Sequence, residues 1–190
     1  MNAVVDKLVN PFRYLSLRKA LCWGIVALIL TSIFAWQYGL RLTSLTQVDF
    51  GGSALWRATL RQLLAWMTFA VVLYAAGVAA SKSKIRIWDV AAFNLFARIP
   101  FDLTLLVFAV PSVNSVFGYA IDGNINAMLT HTTLLTIVGI VALLLCVWYF
   151  FWSYKAFAES TNVKNGRGVV IFIIAYIVAQ AAVTYIFKFI

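Results

Sequence analysis

The chain has 190 residues, of which 64% are hydrophobic and 11% charged, with a formal net charge of +9 and a mean hydropathy of +0.94. That balance excludes a soluble domain. The fifteen Lys and Arg residues lie in short clusters between apolar runs rather than along one basic face, which argues against nucleic acid as a partner.

Residues 1–19 form an arm. Asn10–Pro11 marks a turn, and Phe12, Tyr14, Leu15 and Leu17 interleave with Arg13, Arg18 and Lys19. This pattern suits a cytoplasmic amphipathic segment lying in the membrane plane, with Arg13, Arg18 and Lys19 as candidate lipid-headgroup contacts. The arm includes Asp6 and no small-residue cleavage site follows the first apolar run, so the reading is an uncleaved span rather than a signal peptide.

From residue 20 to 190 the chain reads as one all-α, polytopic transmembrane domain. About 20 apolar residues cross the ~30 Å hydrocarbon layer, and five runs qualify: Ala20–Tyr38, Gln62–Ala80, Ile87–Val110, Ala127–Trp152 and Val169–Phe187. Runs such as Ile137–Phe151 lack the alternation a membrane barrel requires. Between the first two runs, the Gly51–Gly52 break precedes Ser53, a candidate helix cap. The turn that follows is expected at the outer interface, with Arg57 and Arg61 on one face and Trp56, Leu60 and Leu63 on another.

The third run is the most unusual. Asn94, Arg98 and Asp102 recur every four residues and share a helix face, Asp89 lies near the cytoplasmic end, and Pro100 interrupts the backbone donors. Ionisable groups at this depth are costly unless paired, wetted or useful. Arg98 and Asp102 therefore admit two readings: a site for an ion or small anion beside a kink, or a buried pair satisfied by Asn94 and by Gln180 or Thr184 of span five. Asp89 and Asp102 are about 20 Å apart along a helix axis and do not form an acid–base pair.

Span four opens with Thr130, His131, Thr132, Thr133 and Thr136, and His131 is the only histidine. No Cys, Asp or Glu stands three or four residues after it, so local spacing supports an interfacial histidine bonded to a threonine rather than a metal ligand. Gly166–Arg167–Gly168 is expected to form a flexible turn before span five. On that span, Ala175, Ala179 and Ala182 offer a close-packing seam, matched by Ala76, Gly77, Ala79 and Ala80 on span two. Tyr176, Gln180 and Thr184 form a polar stripe that must face protein or water.

Direction follows from charge. Lys7, Arg13, Arg18, Lys19, Lys82, Lys84, Arg86, Lys155, Lys164 and Arg167 fall on one side, against Arg41, Arg57, Arg61 and Lys188 on the other. The positive-inside rule then predicts a multi-pass protein of the cell (inner) membrane, N-terminus cytoplasmic and C-terminus outside.

Catalytic chemistry is not indicated. Cys22 and Cys146 lie in separate apolar runs, and no phosphate-binding glycine loop is present. Gly51–Gly52–Ser53–Ala54 lacks the second glycine of an intramembrane serine-protease motif. The expectation is no enzymatic activity and no cofactor.

Several segments carry a family likeness: Asn10–Pro11–Phe12–Arg13; Ala76–Gly77 through the basic loop Lys82–Arg86 to Asp89 and Ala97–Arg98–Ile99–Pro100; and Trp148, Trp152 and Gly166–Arg167–Gly168 leading into span five. In these the chain resembles the YIP family, the Ypt/Rab-interacting five-span membrane proteins, and in particular its short prokaryotic-type members. The resemblance implies a five-helix fold, a cytoplasmic N-terminus and a non-enzymatic role in membrane organisation or trafficking. Its implied partners are membrane lipids and a membrane protein or a second copy of the chain. Eukaryotic members carry a long cytosolic N-terminal region and a D-L-Y-G-P motif, where this chain has a short arm and only Asp102–Leu103. The resemblance therefore does not extend to binding a Rab-type GTPase. The alternative function is a small transporter or channel with a pathway past Arg98 and Asp102.

Overall fold

The computed structural model describes residues 7–190; the first six residues of the arm, Asp6 included, lie outside them. Five helical segments are long and apolar enough to cross a membrane: Leu17–Gln37, Leu55–Ala80, Ile87–Phe108, Thr132–Thr161 and Asn165–Phe189. The protein is an all-α, multi-pass membrane protein.

Its elements in order are α1 (Leu17–Gln37), β1 (Leu40–Leu42), β2 (Val48–Phe50), α2 (Leu55–Ala80), α3 (Ile87–Ala97), α4 (Ile99–Phe108), α5 (Pro111–Ile121), α6 (Ile125–Leu129), α7 (Thr132–Thr161) and α8 (Asn165–Ile186). Single 3-10 turns, Pro11–Arg13 and Phe187–Phe189, stand near the two ends. The third span breaks at Arg98, which ends α3 and begins α4. Pro100 is harmless there because the first turn of a helix has no carbonyl waiting for its missing N–H.

Several boundaries differ from the sequence reading. α2 is continuous from Leu55, so the expected interfacial turn is the first part of the span itself. Ser53 does not cap it: Ala54 occupies that position, and no side-chain cap bond forms. Span four starts at Thr132 rather than Ala127 and runs to Thr161, nine residues past Trp152, because Ile125–Leu129 folds as the separate α6. His131 stacks on Tyr119 of α5, with centroids 6.1 Å apart, in place of the expected threonine bond. Gly166, Arg167 and Gly168 form the first turn of α8 instead of a loose connection.

Helix packing follows from residue size. α2 packs chiefly on α8, α1 on α3, and α7 on α3 and α4, whereas α7 and α8 touch each other little. Ala175 and Ala179 are buried on the seam expected for span five, and small residues there let two backbones approach without a driving force from water. A Cβ on Gly24 would stand 2.6 Å from Leu95 Cγ, so only glycine permits the α1–α3 approach.

The arm docks onto the bundle. Phe12 is buried against Phe93, Phe96 and Trp152, the Trp152 indole donates to the Leu8 carbonyl at 3.0 Å, and Glu159 accepts from Asn10 and Arg13 at 2.9 Å each. Arg13 thus engages a carboxylate of α7, whereas it was expected among the headgroup contacts; Arg18 and Lys19 are exposed in the first turn of α1.

The largest departure is the segment between spans one and two. Leu40–Leu42 and Val48–Phe50 pair as an antiparallel hairpin, with Arg41 opposite Asp49. Its neck is closed by Gly39, whose carbonyl accepts from the amides of Gly51 and Gly52 at 3.1 and 2.9 Å. Gly39 and Gly52 have φ of 65° and 63°, a region costly for residues with a Cβ. The tip does not stand in solvent. Leu45 is fully buried in the main core with Phe69, Leu73, Phe101, Tyr149 and Phe172.

Candidate functional site

Ser44 and Leu45 at the hairpin tip are fully buried, and buried polar groups need partners within the protein. α8 supplies them. Gln180 accepts from the Leu45 amide at 3.2 Å and donates to the Ser44 hydroxyl at 2.8 Å. Tyr176 shares a 2.8 Å hydrogen bond with Thr46. Tyr176 is the twelfth residue of the 22-residue α8, about 17 Å along its axis, so the tip reaches the middle of the bundle. From α2, buried Arg61 donates to the Leu42 carbonyl at 2.9 Å and lays its guanidinium over Phe187 at 5.3 Å. Arg61 was expected beside Arg57 at the interface; it turns inward to hold the hairpin, while Arg57 covers Trp56 at 5.2 Å.

The polar stripe of span five is therefore used, but not on the charged pair. Thr184, its third member, donates to the Gln180 carbonyl and lines a crevice beside the hairpin. The expectation that Gln180 or Thr184 would satisfy Arg98 and Asp102 is corrected: the hairpin takes Gln180, and α7 faces the pair.

Arg98 and Asp102 are each 4% exposed. Arg98 Nε stands 3.5 Å from Asp102 Oδ1, an ion pair within one helical turn, and the guanidinium lies 5.0 Å from the Phe101 ring centre. Tyr149 of α7 is within electrostatic reach of both charges and packs its ring against Phe101, with centroids 5.8 Å apart. Asn94 is buried one turn before Arg98. The enclosure is incompletely satisfied: Arg98 Nε and Nη2, Asp102 Oδ1, Asn94 Oδ1 and Thr104 Oγ1 have no hydrogen-bond partner. Asp89 does not join this group. It lies in the first turn of α3, about 14 Å along the axis from Arg98.

Where α7 and α8 part, a crevice of about 640 Å³ is walled by the hairpin (Thr43, Thr46, Gln47, Asp49), α4 (Phe101, Thr104), α7 (Ala142, Cys146) and Thr184 of α8. All of these residues belong to the half of the bundle that carries the hairpin. Among the described residues no group of three or more His, Cys, Asp or Glu could hold a metal.

The sequence reading missed Ser44, Leu45 and Thr46, and the packing of α7 over the broken third span. One signal was available for the hairpin: apolar Leu40, Leu42, Val48 and Phe50 alternate with polar neighbours between two glycine breaks, the pattern of a half-buried strand pair. No family model, curated protein or solved structure matches the chain.

Proposed function

We propose that the chain is a non-enzymatic, YIP-family-like integral membrane protein that organises membrane through contacts with lipids and with a partner membrane protein or a second copy of itself. One observation carries this reading. Gln180 and Tyr176 are spent on a re-entrant hairpin whose tip fills the bundle, and Arg98 and Asp102 pair with each other, rather than lying along a path from end to end. α7, by contrast, turns Ile137, Ile140, Leu144 and Val147 outward, a surface suited to lipid or a partner helix.

Purified protein in sealed vesicles is expected to pass chloride and protons no faster than protein-free vesicles. Crosslinking in native membranes is expected to join the chain to itself or to another membrane protein. A strictly monomeric chain without crosslinked product would contradict the reading.

A second reading, transport past Arg98 and Asp102, is favoured by the crevice, since Thr104 on its wall lies two residues from Asp102. Sustained flux in the vesicle measurement would select it.

Orientation belongs to the same proposal. With ten basic residues on the side of the arm, the positive-inside rule places the N-terminus in the cytoplasm of a cell membrane and the hairpin end outside. An impermeant thiol reagent should label Ser112→Cys on intact cells and Ser83→Cys only after lysis; the reverse pattern would invert the topology.

A further inference from the structure

The four basic residues at the hairpin end come from distant parts of the chain, yet they gather in one place. Arg41 of β1, Arg61 of α2 and Lys188 after α8 line a cleft of about 280 Å³, completed by Thr43, Thr184 and Phe187. Arg57 adds its field to the same point, being close enough to Arg61 to act on it electrostatically, as Arg41 does.

Like charges converge at a cost unless an anion joins them. The local acid is insufficient. Asp49 lies 3.7 Å from Arg41, and both are substantially exposed, so screening weakens that pair. Arg61 is 8% exposed, lines the cleft, and spends one nitrogen on the Leu42 carbonyl. Its Nε, like that of Arg41, is buried without a hydrogen-bond partner. Two guanidinium groups that are not fully hydrogen-bonded, an ammonium and two threonines line one cleft, a set of donors suited to a tetrahedral oxyanion, since guanidinium donors match phosphate oxygens in pairs.

The position suits a headgroup. Arg61 is the seventh residue of α2, about 9 Å along its axis from the first, and Lys188 lies beyond the end of α8. Both lie near the level where hydrocarbon gives way to headgroups. We propose that this cleft binds a phosphate-bearing anion, of the kind an anionic phospholipid presents, at the end of the bundle opposite the basic arm. The site rests on the reading of the chain as a lipid-contacting membrane protein.

The test uses the full chain in detergent, titrated with phosphatidylglycerol or phosphatidylcholine and followed by native mass spectrometry, with inorganic phosphate as competitor. Phosphatidylglycerol should bind at least about tenfold more tightly than phosphatidylcholine, and Lys188→Gln or Arg41→Gln should each remove about tenfold, the effect of one lost charge-assisted bond. Arg61→Gln should remove more, but it also disturbs the hairpin, so the Lys188→Gln and Arg41→Gln variants carry the test. Arg18→Gln with Lys19→Gln, at the other end, should leave the preference intact. Millimolar inorganic phosphate that displaces the lipid identifies the phosphoryl group as the recognised part, and phosphate bound alone with equal affinity identifies free phosphate as the ligand; both uphold the oxyanion site. Equal binding of the two lipids with no phosphate binding, or affinities unchanged in Lys188→Gln and Arg41→Gln, would overturn it. Such a failure would leave the expected absence of vesicle flux, and the reading it tests, untouched.

Discussion

Arg98→Met and Asp102→Leu, made singly, are each expected to destabilise the folded protein by about 3–5 kcal/mol, while the double variant returns to within about 1 kcal/mol of the parent or exceeds it. Each partner is 4% exposed, so removing one leaves the other as an uncompensated charge in a medium that solvates it poorly. Removing both eliminates the desolvation cost together with the unpartnered Arg98 Nε and Nη2 and Asp102 Oδ1. The observable is the unfolding midpoint in mixed micelles, read as a double-mutant cycle with a coupling energy well above the few tenths expected of independent sites. Asp102→Asn, which keeps the shape but discharges the acid, should fall with the single variants. If the double variant shows the sum of the two single losses, Arg98 and Asp102 do not act as a coupled ion pair.

The hairpin tip is the second place where a single change has a large effect. Leu45→Ala empties a fully buried position in the core cluster that also holds Phe69, Phe101 and Phe172, and large-to-small changes of this kind cost about 2–5 kcal/mol. Gln180→Leu preserves volume but leaves the Leu45 amide without its acceptor, while the Ser44 hydroxyl loses one of two donors and keeps the Gln47 amide. An abandoned buried group costs about 1–3 kcal/mol. Both variants should lower the same unfolding midpoint, and Thr184→Val, one turn along the helix and bonded only to its own Gln180 carbonyl, should change it little.

Much of this architecture was legible from the residues. Five apolar runs of sufficient length leave the backbone no alternative to helix in lipid, and Pro100 beside Arg98 marks the break between α3 and α4. The seam at Ala175 and Ala179 follows from side-chain size alone. Partner choice was not legible. Arg98 and Asp102 announce each other by four-residue spacing, whereas nothing in the spacing of Tyr149 and Ser153 shows that α7 covers them. Gln180 was identifiable as a group needing a partner, but its partner is a loop whose polar residues read as solvent-facing. Thr43–Gln47 is polar because it bonds to α8 and lines a crevice inside the bundle. Arg41 and Arg61 similarly count as topological charge in a linear reading, and only the folded chain brings them to one cleft with Lys188.

The loop between spans one and two re-enters the bundle, and Gln180 and Tyr176 of α8 with Arg61 of α2 hold it there. Cysteine labelling in a background lacking Cys22 and Cys146 tests this placement most directly, comparing Leu45→Cys at the tip with Gly51→Cys at the exposed neck, where a Cβ meets only ordinary contacts. In protein reconstituted into vesicles, an impermeant maleimide should modify Gly51→Cys readily and leave Leu45→Cys unmodified until the protein is denatured. Equal labelling of the two would place the hairpin outside the bundle and contradict the account.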